Sequence, residues 1–258
     1  MVEPVVLLGR GGSGTRLMSQ LVQHIGVFLG SDINPTGDSV ELVDAIYGGA
    51  IATAERGELS AMPDVRDAIE RLAANRPDPD GRWGWKLPET AVIADGIVRA
   101  FPQAQFIHMV RHPVSSAIRR HHMTSNIKTP VGQSVLRAAY AEAGRDPAHI
   151  ETDAVYLRNA YTWRYQIGRV VNALKGVADT RTLQIKYEHL LTQPLEVQRQ
   201  VECFIGLDAA APCPLEIDPA RAGQFEPDDA RIAEVWAICR DRAEAIGYHA
   251  PSDYQLQS

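Results

Sequence analysis

Pro4-Val5-Val6-Leu7-Leu8-Gly9-Arg10-Gly11-Gly12-Ser13-Gly14-Thr15-Arg16-Leu17-Met18-Ser19 runs from an unbroken apolar segment through a glycine-rich bend into helical spacing. An apolar run without alternation reads as a strand buried on both faces. The glycines allow a sharp turn and remove the Cβ atoms that would hold an anion off the backbone amides. The helix that follows aims its unpaired N–H groups at the same point. Arg10 and Arg16 add positive charge, so the stretch predicts a strand, a phosphate-sized loop and a helix.

Two better-known fingerprints fit these letters incompletely. Gly9 to Gly14 satisfies GxGxxG, but a dinucleotide site needs a second strand ending in an acid about 20 residues on. Here Val27-Phe28-Leu29 is one very short apolar run, followed by loop with Asp32, Asn34, Pro35 and Gly37. A Walker A loop would place Lys and then Ser or Thr after its second glycine; this chain has Thr15 and Arg16. A nicotinamide enzyme and an ordinary ATPase are both disfavoured, and a glycine-rich turn without a ligand is the bland alternative.

A chain of 258 residues with 45% hydrophobic content is long enough to bury a sizeable core as one enzyme-sized α/β domain. A net charge of -6 argues against a general nucleic-acid or membrane-surface binder, which needs broad basic surface. No leader-like or membrane-spanning run is evident, so a cytoplasmic protein is expected. The three cysteines lack CxxC spacing and the eight histidines lack HExxH, so neither a disulfide framework nor a metal site is expected.

Along the chain, Leu17 to Ile25 forms an amphipathic helix, and Asp38-Ser39-Val40-Glu41 starts another through Leu42, Ile46 and Tyr47. Asp32, Asp38 and Glu41 follow the glycine loop closely. Acids there are commonly helix caps, and a catalytic base is the sharper reading. Residues 64–74 carry a helix. Arg82 to Leu87 reads as a strand stopping at Pro88, with Thr90 or Glu89 opening the next helix. Lys86 lies at that strand's end, where a parallel sheet places its ligand crevice. Gln105 to Val110 is the clearest second strand, leading into Arg111-His112-Pro113 and a helix with Ser115, Ser116 and Arg119. Residues 123–153 are irregular apart from a helix near Val135 to Ala143, and read as an acceptor-side insert or as a plain surface excursion. A long helix over 154–174, a strand over 181–188, and helices over 194–205 and 228–246 complete the chain.

Three separated stretches together resemble the sulfotransferases that use 3′-phosphoadenosine 5′-phosphosulfate (PAPS). Arg10-Gly11-Gly12-Ser13-Gly14-Thr15 resembles their 5′-phosphosulfate loop. Val110-Arg111-His112-Pro113 resembles the 3′-phosphate motif. Tyr187-Glu188-His189-Leu190-Leu191, followed by Phe204-Ile205-Gly206-Leu207, is similar to a segment near the family's C-terminus. Trp85-Lys86-Leu87-Pro88 looks like the segment that carries a catalytic lysine in many members. The resemblance implies a three-layer, P-loop-like α/β domain over 1–258, its mainly parallel sheet flanked by helices. It further implies PAPS as co-substrate, adenosine 3′,5′-bisphosphate as product, no metal, and in-line transfer to a hydroxyl or amine of a small-molecule or glycan acceptor.

On that resemblance, Arg10, Gly11, Gly12, Ser13, Gly14, Thr15 and Arg16 bind the 5′ end, Arg111 and Arg119 the 3′-phosphate, and Tyr187 helps place the adenine. Core packing is the alternative for Tyr187. Two departures stand out. Many members carry Lys or Arg where this chain has Gly12, so Arg10 or Arg16 together with Lys86 is expected to supply the missing charge. Where many carry a phosphate-binding serine, this chain has Arg119. Glu41 ranks first as general base, ahead of Asp38 and Asp32. The competing readings are a sulfotransferase-like module that binds nucleotide without catalysis and, less well supported, a nicotinamide-dependent oxidoreductase.

Overall fold

The computed structural model describes residues 2–57, 62–118, 122–218 and 229–255. Four parallel strands, β1 (Val5–Leu8), β2 (Gly84–Lys86), β3 (Gln105–Val110) and β4 (Thr182–Lys186), form a sheet in the order β2-β1-β3-β4. Val5 pairs with Gly84 on one side and with Gln105 on the other, and Val110 pairs with Lys186.

The missing polar alternation in β1 has a direct structural cause. Val6 and Leu8 enter one hydrophobic core, while Val5 and Leu7 enter the core on the opposite face. The second face is covered by α1 (Thr15–Ile25), α8 (Tyr187–Thr192) and α9 (Pro194–Ile205), through Leu21, Leu190 and Val201. The first is covered by α2 (Val43–Arg56), α3 (Met62–Ala74), α4 (Ala94–Ala100), α6 (Pro130–Glu142) and part of α7 (Val155–Leu174). A third cluster joins α5 (Pro113–Ala117), Trp163 of α7 and α10 (Ala230–Ala245) to Tyr248 and Tyr254. Helices on both faces of a parallel sheet make the three layers expected from the sequence.

The elements run shorter than the sequence spacing suggests. The strand expected over 82–87 keeps only three residues, because Pro88 has no N–H to continue a ladder and opens a 3-10 turn, Pro88–Ile93. The strand expected over 181–188 stops at Lys186, and Tyr187 already begins α8. Residues 38–41 do not start an α-helix directly; a 3-10 turn, Val40–Leu42, precedes α2. Chain connections lead from β1 to β2 on one side and then, across β1, to β3 on the other. The crevice where these connections part lies at the carboxyl ends of β1 and β3, where α/β sheets bind ligands.

Candidate functional site

A cavity of about 370 Å³ opens at those strand ends. The loop after β1 contributes Gly11, Gly12, Gly14, Thr15 and Arg16. Gly14 takes the N-cap position of α1 with φ 90°, and no side chain caps the helix, so its first amides face the cavity side. The Tyr187 ring lies where a Gly14 side chain would project: its Cδ2 is 2.4 Å from an ideal Cβ position. Gly12 is likewise left-handed, with φ 83°, and His122 Cε1 lies 2.2 Å from its ideal Cβ position. A basic side chain at this point would be strained and would collide with His122.

The Arg111 guanidinium enters from the end of β3. It donates from Nη1 to the Gly12 carbonyl at 2.9 Å and from Nε to Ser115 Oγ at 2.9 Å, and lies 4.5 Å over the Tyr187 ring. Its carbonyl accepts the Trp163 indole N–H at 3.1 Å. Next door, His112 donates from Nε2 to the Ala250 carbonyl and accepts the Val114 N–H at Nδ1, a neutral tautomer. Burial pushes the His112 imidazole down to about 4. The His112 N–H and the Tyr248 hydroxyl both donate to the buried Glu188 carboxylate, at 3.1 and 2.6 Å.

Lys86 reaches the cavity from β2. Its ammonium donates to Asp38 Oδ1 at 2.5 Å and to the Thr36 carbonyl at 2.8 Å. Burial pulls the lysine below its ordinary range, against the raising effect of Asp38. For Asp38, burial acts upward, but the Lys86 charge and hydrogen bonds from Lys86, Thr36 and Asn34 outweigh it and hold the carboxyl below the usual range. Ser39 fixes this loop on the sheet: Ser39 Oγ donates to the Leu29 carbonyl at 2.7 Å and accepts the Lys86 N–H at 3.1 Å.

The structure thus brings Gly11, Gly12, Gly14, Thr15, Arg16, Lys86, Arg111 and Tyr187 around one cavity. It does not bring three expected residues there. Arg10 is 0% exposed, and its guanidinium donates to Ser116, Asn159 and Thr162 behind the loop. Burial pushes it down to about 9. Ser13 is also fully buried, and its N–H closes the loop onto the Arg10 carbonyl at 3.0 Å. Glu41 accepts the Ser31 N–H at 3.2 Å and packs against Gly30, off the cavity lining. Its expected role as base follows from the family resemblance, whereas the carboxylate here is held on the Ser31 N–H beside Gly30. Arg119 lies outside the described residues.

The residue that sequence reasoning missed is Glu89. It lines the cavity beside Pro88, only 3% exposed, and burial pushes its carboxyl up to about 7. The signal was its position three residues beyond Lys86 at the same strand end, but an acid opening a helix also reads as a cap. Tyr47, Thr36 and Met123 complete this side.

A parallel sheet flanked by helices, with a glycine loop after one strand and a buried arginine after its neighbour, defines an α/β protein with its cavity at the strand ends. The match to a family model extends over residues 4–211, and the chain belongs to the sulfotransferase family. Sulfotransfer is therefore the reaction class. No curated protein matches the sequence. Among solved structures, the fold is similar to the sulfotransferase domain of the curacin biosynthetic pathway (17% identity, 97% of this chain and 99% of that one, TM-score 0.54). It is also similar to a sulfotransferase from Alicyclobacillus acidocaldarius (15% identity, 95% of each chain, TM-score 0.54). A third is sulfotransferase STF9 from Mycobacterium avium (12% identity, 97% of this chain and 79% of that one, TM-score 0.57). Among the described residues, no helix is long and apolar enough to cross a membrane.

Proposed function

We propose that the chain moves a sulfuryl group from PAPS to a small-molecule or glycan acceptor and releases adenosine 3′,5′-bisphosphate. One observation carries this reading: the glycine loop of β1, Arg111 of β3 and Lys86 of β2 meet at one cavity. An amide loop and a guanidinium held beside it suit a nucleotide that carries phosphate at both ends of its ribose.

In this reading the amides of Gly12 to Thr15, with Arg16, hold the 5′-phosphosulfate, and Arg111 makes a charge-assisted pair with the 3′-phosphate. Arg111 is already oriented by Ser115 and Gly12, so little reorganisation is needed. Lys86 offsets charge on the leaving phosphate oxygen, and Arg10 contributes positive potential from behind the loop rather than contact. Arg119 remains a proposed 3′-phosphate contact. Such a transfer is mainly positioning plus electrostatic stabilisation, as in phosphoryl transfer. We read 1–258 as one domain with its acceptor side near 123–153. Cys203, Cys213 and Cys239 are free thiols, which suits the cytoplasm.

Thermal-shift titration with adenosine 3′,5′-bisphosphate, beside ATP-magnesium and NAD, tests the reading. A ligand at about a hundred times its dissociation constant adds ~2.7 kcal/mol of stability. Stabilisation by the bisphosphate without metal is expected. Stabilisation only by ATP-magnesium or NAD, or by none of the three, overturns it.

A further inference from the structure

Sulfuryl transfer to an O–H group releases a proton, and the titratable groups around the cavity differ in their freedom to take it. Asp38 is committed to Lys86, Asn34 and Thr36 and is held ionised, which makes it a weak base. Glu41 lies off the cavity, with its carboxylate on the Ser31 N–H. Burial raises the Tyr47 phenol well above its ordinary range, so it stays protonated at neutral pH. Glu216 and Asp218 are exposed at the mouth. We infer that Glu89, on the turn after β2 and facing the cavity three residues beyond Lys86, is the general base that accepts the proton of a hydroxyl acceptor, a conclusion that rests on the sulfotransfer reading of this cavity.

Position carries the argument. Glu89 is 3% exposed and lines the same cavity as Lys86, Gly12 and Arg111. Among the described residues no cation lies within ion-pair distance of its carboxylate, because Lys86 is engaged by Asp38 and Arg10 by Ser116, Asn159 and Thr162. The charged and titratable groups that face it are Asp38 from the loop, Lys86 from β2, Arg10 from the end of β1 and Tyr47 from α2. Burial dominates, with Asp38 acting the same way and its own backbone N–H, Lys86 and Arg10 acting against it. The resulting affinity for a proton, near neutrality, is where general-base catalysis is most effective.

In the step, an acceptor oxygen forms a bond to sulfur while the bond from sulfur to the bridging oxygen breaks, and that bond's electron pair stays on the 5′-phosphate. The acceptor O–H bond breaks in the same event, and Glu89 keeps the proton until solvent removes it.

Wild type, Glu89→Gln and Glu89→Asp are compared in two assays. Calorimetry measures binding of adenosine 3′,5′-bisphosphate. Release of the bisphosphate from PAPS, with 2-naphthol or water as acceptor, is followed from about pH 5 to about pH 9. The wild-type rate is expected to rise through about pH 7 and level off. Glu89→Gln should fall by about 10²-fold or more and lose this pH dependence, while nucleotide affinity stays within about threefold. Glu89→Asp should recover part of the rate together with the pH profile. A Gln variant with wild-type rate and profile overturns the assignment, as does one losing nucleotide affinity as much as rate. Failure of wild type to bind the bisphosphate is a different result, since it removes the sulfotransfer reading itself.

Discussion

At Gly12, backbone and neighbour together exclude a side chain: φ is 83°, and the His122 ring occupies the space beside it. Gly12→Ala should therefore destabilise the fold, by about 1 kcal/mol from backbone strain alone. Adding His122→Ala removes the collision but not the strain, so a double-mutant cycle by thermal melting should show favourable coupling between the two changes. Arg111 and Lys86 should separate binding from rate. Arg111→Ala leaves a bound phosphate unpaired and should weaken bisphosphate binding by roughly 2 to 5 kcal/mol in calorimetry. Lys86→Ala should lower turnover far more than nucleotide affinity, because its charge acts where negative charge develops; equal losses would make it a binding group only. The identities of these residues were legible in the sequence because each lies at, or within a few residues of, the carboxyl end of a strand. The inward turn of Arg10 was not, since it depends on Ser116, Asn159 and Thr162, which lie more than a hundred residues away in the chain.

Among the elements, β1 and β3 were legible because strands buried on both faces leave unbroken apolar runs. The junctions after them were legible for the same reason, as glycine and proline punctuate the chain where ladders stop. Less visible was how the C-terminal segment clasps the β3 junction. Lys186 donates to the Gly247 carbonyl at 2.5 Å, Gln184 to the Ile246 carbonyl at 3.1 Å, and His112 stacks on Trp236 with 5.6 Å between ring centroids. These contacts use backbone carbonyls and ring faces, which carry no sequence pattern. Glu188 links the clasp to the strand end by accepting from both His112 and Tyr248. Tyr248→Phe removes one of the donors to a buried carboxylate, which should cost about 1 to 3 kcal/mol in urea unfolding. Because the same carboxylate holds the residue after Arg111, bisphosphate affinity should fall as well. Unchanged stability would show that the clasp is incidental to the junction.

For the molecule as a whole, buried ionisable groups impose opposed pH dependences on folding. His108 in β3 is wholly buried, its Nε2 finds no hydrogen-bond partner among the described residues, and burial pushes it down to about 3. An unfolded histidine takes a proton below about pH 6.5. Between those values the unfolded chain binds more protons than the folded one, so stability is lost as pH falls. His112, pushed down to about 4, acts in the same direction. Glu89 has the reverse sign: it is pushed up to about 7, against about 4.3 in an unfolded chain, so across this window the folded state binds the extra proton. Its contribution is present at acid pH and is lost as pH rises through about 7. Burial raises Glu188 too, which adds to the same trend. The absolute stability curve mixes these effects, but differences from wild type isolate each one. From about pH 4 to about pH 8, Glu89→Gln should become progressively more stable relative to wild type, by up to about 3 kcal/mol in total. His108→Leu should gain on wild type in the opposite direction, as pH falls below about 6.5. Urea unfolding of the three proteins at a series of pH values reads both differences. A Glu89→Gln difference that stays level across the window would mean that the carboxylate is solvated in the folded protein, and the physical basis for placing a base there would be lost.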